Sequence, residues 1–202
     1  ALVHIIEKFN PNIPIVVAVG YKGESLIEIL TEFYPNRDIE FVAVDNFDGP
    51  GSGLGYSMMQ CEDKLQCPFV FVPNDTIVEG TAIDLNPNMV GNWVGLKHNT
   101  SGNIDPSHYR CAETSDNKVI SILPKGLSTD NIYVGLCGVR DLSTFWGLMR
   151  SNAEAIVDGE SFGLNGLPRK KAVFIDEWYD TGNLNRINEA FERFSSKNHN
   201  IL

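Results

Sequence analysis

The sequence predicts an α/β fold, a mixed and mostly parallel sheet flanked by helices, built as one domain. Two patterns and one bound lead there. Up to Asp75, short β-branched apolar runs alternate with amphipathic runs, the order of a parallel sheet with crossover helices. From Trp93 onward, strand-like runs follow one another without long helices between them. The chain has 202 residues, 43% hydrophobic and 21% charged, enough for one α/β domain with a substantial core.

The elements follow in order. Leu2, Ile5, Ile6 and Phe9 have helical spacing, so Ala1–Phe9 reads as a helix, with no cap residue before it. Ile13–Val19 reads as a strand buried on both faces. After the turn at Gly20-Tyr21-Lys22-Gly23, Glu24–Phe33 reads as a helix with Leu26, Ile27 and Leu30 inward. Ile39–Val44 is a strand, Asp45–Gly55 a glycine-rich loop, Tyr56–Leu65 a helix and Phe69–Val72 a further buried strand. Trp93–Leu96, Tyr109–Glu113, Lys118–Ile122 and Ile132–Val139 read as strands, with Asp116-Asn117 as a hairpin turn. Asp141 caps a helix that runs to Arg150. Ala172–Ile175 is a late strand, and Gly182–Phe194 a closing helix with Leu184, Ile187, Phe191 and Phe194 on one face. Trp93, Phe145 and Trp146 could be core or interface, with core the favoured reading. The uncapped start, and the polar Ser195–Asn200 before Ile201-Leu202, predict that residues 1–202 are one domain of a longer protein, with 195–202 as a linker.

Composition excludes several classes. A net charge of −10 argues against a protein that binds nucleic acid by neutralising phosphates, and leaves open an enzyme that handles a few phosphates locally. No apolar run approaches a membrane span, and no secretory signal is visible, so a cytoplasmic location is expected. Cys61, Cys67, Cys111 and Cys137 form no C-x-x-C pair and have no histidine cluster beside them, so reduced thiols are expected rather than zinc.

Four features could carry chemistry. The loop Asp48–Ser57, with Gly51, Ser52 and Gly53 at its centre, allows close approach of backbone to a ligand and runs into a helix, whose terminal amides favour anions. It is neither a P-loop nor a dinucleotide fingerprint, and a plain flexible loop is the alternative. Asn74-Asp75 follows an apolar strand, at the edge where open α/β sheets bind ligands; a turn aspartate is the alternative. Asp180 lies in Trp178-Tyr179-Asp180-Thr181-Gly182, with helix capping, by it or by Asn183, as the alternative. Lys125, held between Pro124 and Gly126, could meet a phosphate, or be a solvated surface lysine. Two carboxylates converging from distant segments suit Mg²⁺, which takes one or two protein carboxylates and fills its remaining positions with phosphate and water.

In this order and context these segments resemble the sugar-1-phosphate nucleotidyltransferases. Ile15-Val16-Val17-Ala18-Val19-Gly20-Tyr21 resembles that family's second strand and Gly-Tyr turn. Gly51–Ser57 resembles the segment contacting base and ribose, and Phe71-Val72-Pro73-Asn74-Asp75 the strand whose aspartate binds Mg²⁺. Lys118–Gly126 resembles the element whose lysine contacts the sugar phosphate, and Ile132–Leu136 the strand with a glycine beside the sugar. Trp178–Asn183 resembles the motif carrying the second metal ligand.

The resemblance implies a Rossmann-like, glycosyltransferase-A-like fold and Mg²⁺-dependent transfer of a nucleotidyl group from an NTP to a sugar phosphate, with release of pyrophosphate. It implies Asp75 and Asp180 as metal ligands, with Lys125 also catalytic. Gly51, Ser52, Gly53 and Asn74 would bind nucleotide, and Tyr109, Lys125 and Gly135 the sugar phosphate. The nearest subgroup serves capsular and surface polysaccharides and is sometimes fused to a second domain; such a fusion, or a homo-oligomer, is the expected partner. The departures are Asn74 for Gly, Pro124 for Glu, Asn183 for Thr, and Arg110 after Tyr109 where Gly is usual. The family's Gly-x-Gly-Ser/Thr-Arg loop and the lysine after it are not among these residues. The alternatives are a non-catalytic nucleotide or nucleotide-sugar binding module and a glycosyltransferase of similar fold. The second is weakened because Asn74-Asp75-Thr76 lacks an Asp-x-Asp.

Overall fold

The computed structural model describes residues 1–79, 91–100, 102 and 104–198, without the side chains of residues 158 and 193–198. The elements are α1 (Leu2–Lys8), β1 (Ile15–Val19), α2 (Gly23–Phe33), β2 (Ile39–Ala43), α3 (Leu54–Gln60), β3 (Phe69–Phe71), β4 (Thr76–Glu79), β5 (Trp93–His98), β6 (Ala112–Ser115), β7 (Lys118–Ile122), β8 (Asn131–Val139), α4 (Leu142–Ser151), α5 (Glu154–Asp158), α6 (Glu160–Asn165), β9 (Lys170–Phe174), β10 (Glu177–Asp180) and α7 (Leu184–Asn198).

A six-stranded sheet of order β3-β8-β5-β9-β7-β6 forms the centre, with two-stranded sheets β1-β2 and β10-β4 beside it. The sheet is mixed, as expected. β1/β2 and β5/β9 are parallel. β3/β8, β5/β8, β6/β7, β7/β9 and β10/β4 are antiparallel. Asp116 and Asn117 have φ of 49° and 59°, the left-handed pair of a two-residue hairpin turn, and join β6 to β7 as predicted.

The core lies between the sheet and α3–α6. Phe145, Trp146, Met149, Leu164, Leu96 and Ile122 are each no more than 2% exposed. Phe69 lies 5.7 Å, ring to ring, from both Phe145 and Trp146, and the Trp146 indole N–H donates to Leu65 O at 3.3 Å. Trp93, at 6% exposure, is core as well.

Several expectations are corrected. β1 is not buried on both faces: Val17 and Val19 are buried and Ala18 is exposed, the alternation of a sheet covered on one side. Tyr109 lies outside the strand expected at Tyr109–Glu113, which starts at Ala112; a helical turn at Pro106–His108 precedes Tyr109 and frees its ring. Asp141 stands at the N-cap of α4 without capping it, because its carboxylate accepts from Asn92 Nδ2 at 2.7 Å. The apolar stripe of α7 is not inward: Leu184, Ile187 and Phe191 are exposed, and the helix docks through Ala190 against Ile77 and Tyr179. A small residue lets the helix approach β4 and β10, with Leu184, Ile187 and Phe191 left outside; the side chain of Phe194, the fourth member of the predicted stripe, lies outside the described residues. β4, β10, α5 and α6 have no counterpart in the predicted elements. Among the described residues no helix is long and apolar enough to cross a membrane.

Gly53, at the N-cap of α3, and Gly55, in its first turn, owe their identity to packing. A Cβ on Gly55 would lie 1.7 Å from Ala155 O, and one on Gly53 2.2 Å from Ile156 O. The backbone of α5 therefore rests directly on the start of α3.

Candidate active site

The site is organised by a bulge in β8. Val94 pairs with Cys137 and Leu96 with Tyr133, so Gly95 alone faces Val134, Gly135 and Leu136. Gly135 has φ of 83°, and a Cβ there would lie 2.5 Å from Pro73 Cγ. The bulge thus brings β8 against the turn that carries Asn74 and Asp75. Thr76 Oγ1 donates to Val134 O at 3.1 Å and secures that approach.

The β4/β10 ladder then aligns the two aspartates. Thr76 faces Asp180. Thr181 donates to Asp75 O through both its amide, at 2.7 Å, and its hydroxyl, at 2.9 Å. A Cβ on Gly182 would lie 3.0 Å from Asp180 Oδ1 and 3.1 Å from Asp75 Oδ2. Both oxygens flank one point, so they are no further apart than the sum of those distances. Burial, and then the Asp180 charge, raise the Asp75 carboxyl above its ordinary value.

Asp180 Oδ1 accepts from the Gly182 amide at 2.7 Å, and Oδ2 from the Tyr109 hydroxyl at 2.6 Å. Asn183 Oδ1 accepts from the Arg186 amide at 3.1 Å, so Asn183 caps α7 and Asp180 does not. The Tyr109 ring meets Trp178 edge-on at 5.0 Å and lies 5.4 Å from the Arg186 guanidinium. Burial and the hydrogen bond to Asp180 push the Tyr109 hydroxyl well above the tyrosine range.

These groups border a cavity of about 850 Å³. Asp75, Asp180, Tyr109, Lys125 and Gly135 all line it, so five of the residues singled out in the sequence are brought together. Lys125 is exposed at its edge. Gly51, Ser52, Gly53 and Asn74 do not line it; Leu54 and Val157 form the wall on that side. Ser52 Oγ donates to Gly49 O at 2.7 Å, within its own loop, and Asn74 is exposed.

The lining also holds residues the sequence did not single out. Arg186 belongs to the amphipathic pattern of α7, where a cation reads as solvated surface. Glu160 follows a glycine in a stretch without strong periodicity, and no local signal marks it. Arg110 was visible only as a departure from a motif.

The donor set fits a divalent cation of the magnesium kind. Asp75 and Asp180 offer hard oxygens close together, and a carboxylate oxygen that accepts one hydrogen bond keeps a further lone pair. Among the described residues no group of three His, Cys, Asp or Glu is gathered, so a ligand-rich transition-metal centre is not built here.

A scan against protein-family models finds no match, and a search of curated proteins returns none of significance. Solved structures match over nearly the whole chain. A protein provisionally described as a glucose-1-phosphate thymidylyltransferase, from Bacillus anthracis, superposes with a TM-score of 0.74 at 16% identity, over 94% of this chain and 80% of its own. A UDP-glucose pyrophosphorylase complexed with UDP-glucose gives 0.70 at 11% identity, over 97% and 85%. An inositol-1-phosphate CTP transferase from T. maritima gives 0.69 at 14%, over 90% and 75%. The chain has the fold of these nucleotidyltransferases. Identities this low speak for the fold alone.

Proposed function

We propose that this domain carries out Mg²⁺-dependent transfer of a nucleotidyl group from an NTP to a sugar phosphate or a related small phosphorylated acceptor, with release of pyrophosphate. The observation that carries the reading is the pair Asp75 and Asp180, whose oxygens flank one point at the edge of a cavity bordered by Lys125. The fold shared with proteins described as transferases of this kind supports it.

Asp75 and Asp180 would hold the metal, whose charge neutralises phosphate oxygens when it is bound. Tyr109 fixes one Asp180 oxygen by hydrogen bonding, and the Gly182 amide fixes the other. Lys125 meets the acceptor phosphate as a point charge. An acceptor phosphate oxygen attacks the α-phosphorus, a new P–O bond forms, and the bond to the β-phosphate oxygen breaks with its electron pair leaving on pyrophosphate. The acceptor is already ionised, so the step needs no protein base. Gly135 offers backbone beside the acceptor. Gly51, Ser52, Gly53 and Asn74 are assigned to the nucleotide, outside the cavity wall at Leu54. The product is assigned to activated-sugar supply for surface polysaccharide in the cytoplasm.

The test is a pyrophosphate-release screen of the four NTPs against hexose 1-phosphates, with and without Mg²⁺, on the longest natural form of the protein. Asp75→Ala and Asp180→Ala should each cost orders of magnitude in turnover. Near-normal turnover in either variant, or equal rates without the metal, would sink the reading.

A further inference from the structure

One cation at the cavity is left without an acid. Arg186, in the first turn of α7, lines the cavity and is half-buried. The Asn183 cap takes its backbone amide at 3.1 Å, which fixes where the side chain leaves the helix. Its guanidinium lies over the Tyr109 ring, 5.4 Å from the centroid. A guanidinium on an aromatic face keeps its N–H edge for a partner in its own plane. Among the described residues Arg186 has no ion pair and no side-chain hydrogen bond. The chain has 26 acidic residues against 16 Lys and Arg, so an unpaired arginine beside a cavity stands out. The other charges there are accounted for. His108 Nε2 lies 3.5 Å from Asp105 Oδ2, and Arg110 bears on Glu160. Asp105 and Glu189 act on this corner through space, without forming an ion pair with Arg186. Bound metal would offset Asp75 and Asp180, and Lys125 is assigned to the reacting phosphate. Tyr109 also sets Arg186 apart from the reacting centre. The guanidinium lies over its ring, whereas Asp180 is bound at its hydroxyl, at 2.6 Å.

We propose that the acceptor carries a second oxyanion besides its reacting phosphate, and that the Arg186 guanidinium binds it. The acceptor class is then a doubly anionic sugar phosphate, either a phosphorylated sugar acid or a sugar bisphosphate. This rests on the reading above, because it assigns the cavity to the acceptor. The shared chemistry is an oxyanion that accepts two parallel N–H bonds from one fork, which a carboxylate and a phosphate both do. Lys125 and Arg186 give the cavity two cations of different kinds, a point charge and a fork. The cavity, at about 850 Å³, has room for a ligand that spans both. A hexose phosphate with no second charge leaves Arg186 with the Tyr109 ring and water, and gains nothing from it. Arg186 is here a binding group for the acceptor and takes no part in bond making.

The experiment titrates hexose 1-phosphates, the matching hexuronic acid 1-phosphates and the hexose 1,6-bisphosphates into the wild-type protein, Arg186→Gln and Arg186→Lys by calorimetry, with Mg²⁺ present. The wild type should bind at least one doubly anionic ligand roughly tenfold to a hundredfold more tightly than its hexose 1-phosphate counterpart. Arg186→Gln should erase that preference. Arg186→Lys keeps the charge and loses the fork, so it should retain only part of it. The ratio between matched ligands is the readout, so a general weakening of the site through Tyr109 cancels. A preference for the uronate identifies a carboxylate as the partner of Arg186, and a preference for the bisphosphate identifies a phosphate. A wild type without either preference, or a preference that survives whole in Arg186→Gln, overturns the proposal. Pyrophosphate release that is as efficient with hexose 1-phosphates as with the doubly anionic ligands overturns it while the functional reading stands. Failure of the wild type to bind any phosphorylated acceptor overturns both. Should Arg186→Gln not fold, Arg186→Lys replaces it, and an undiminished preference there is the contrary result.

Discussion

The Tyr109 hydroxyl donates to Asp180 Oδ2 at 2.6 Å, joining residues 71 apart in the chain. On the proposed reading Asp180 holds the metal, and a phenol that keeps such a carboxylate in one orientation is an outer support whose loss typically costs about tenfold to a hundredfold in metal affinity or activity. Tyr109→Phe should therefore weaken Mg²⁺ binding by roughly that factor with little loss of stability. A metal titration followed by fluorescence of the neighbouring Trp178 would read it, and unchanged affinity would remove Tyr109 from the site.

Asp75 and Asp180 repel one another when no cation lies between them. Asp75→Asn should raise the melting temperature of the metal-free protein by roughly 2–4 °C, the shift expected of a modest stabilisation at this chain length. It should also abolish any stabilisation by Mg²⁺. Melting scans with and without the metal decide it, and a variant still stabilised by Mg²⁺ would place the cation elsewhere.

Gly135 combines φ of 83° with a Cβ position 2.5 Å from Pro73 Cγ. Gly135→Ala adds left-handed strain to a clash with a ring that can move only by shifting the Asp75 turn. A loss of roughly 2–4 kcal/mol in urea unfolding is expected. A loss under about 0.5 kcal/mol would mean that the turn yields freely and that the bulge does not set the position of Asp75.

Burial raises the Glu160 carboxyl from 4.5 to about 7. The folded state therefore prefers the protonated form. The stability this gives is fully present below the unfolded value and is lost as pH rises through about 7. The wild type should lose roughly 1–3 kcal/mol between pH 5 and pH 8 from this group, and Glu160→Gln should not. Melting temperatures of the two proteins should diverge upward with pH in favour of the variant, and parallel curves would show that Glu160 titrates normally.

Much of this was legible in the sequence because it rests on short-range pattern. The β-branched runs at Ile15 and Ile39, the Asp116-Asn117 turn and the burial of Phe145 and Trp146 follow from residue type and spacing. Asp75 and Asp180 were legible because each ends an apolar run in an unusual local context. What was hidden depends on register. β4 and β10 are defined by pairing with each other, and each is too short to announce itself. Glu160 becomes conspicuous only once Tyr133 and the cavity lie beside it. The face of α7 differs from the expectation because amphipathicity reports where apolar side chains lie, and not which of them the helix buries; among its described side chains the buried one is the small Ala190.

The isolation of β1-β2 as its own two-stranded sheet has a dynamic consequence. Among the described residues no backbone ladder ties it to the six-stranded sheet, and the cavity lining begins only at Leu54. Arg37 stitches this region internally, donating to Ile6 O and Phe9 O at 3.1 Å, and Lys8 reaches Glu79 of β4 at 3.1 Å. A part held to its neighbours mainly by side chains opens more readily than one held by a ladder. The amides of Val17 and Phe41 should exchange with solvent through excursions that leave Leu96 and Leu136 protected, so this leaf can breathe while the two aspartates keep their places.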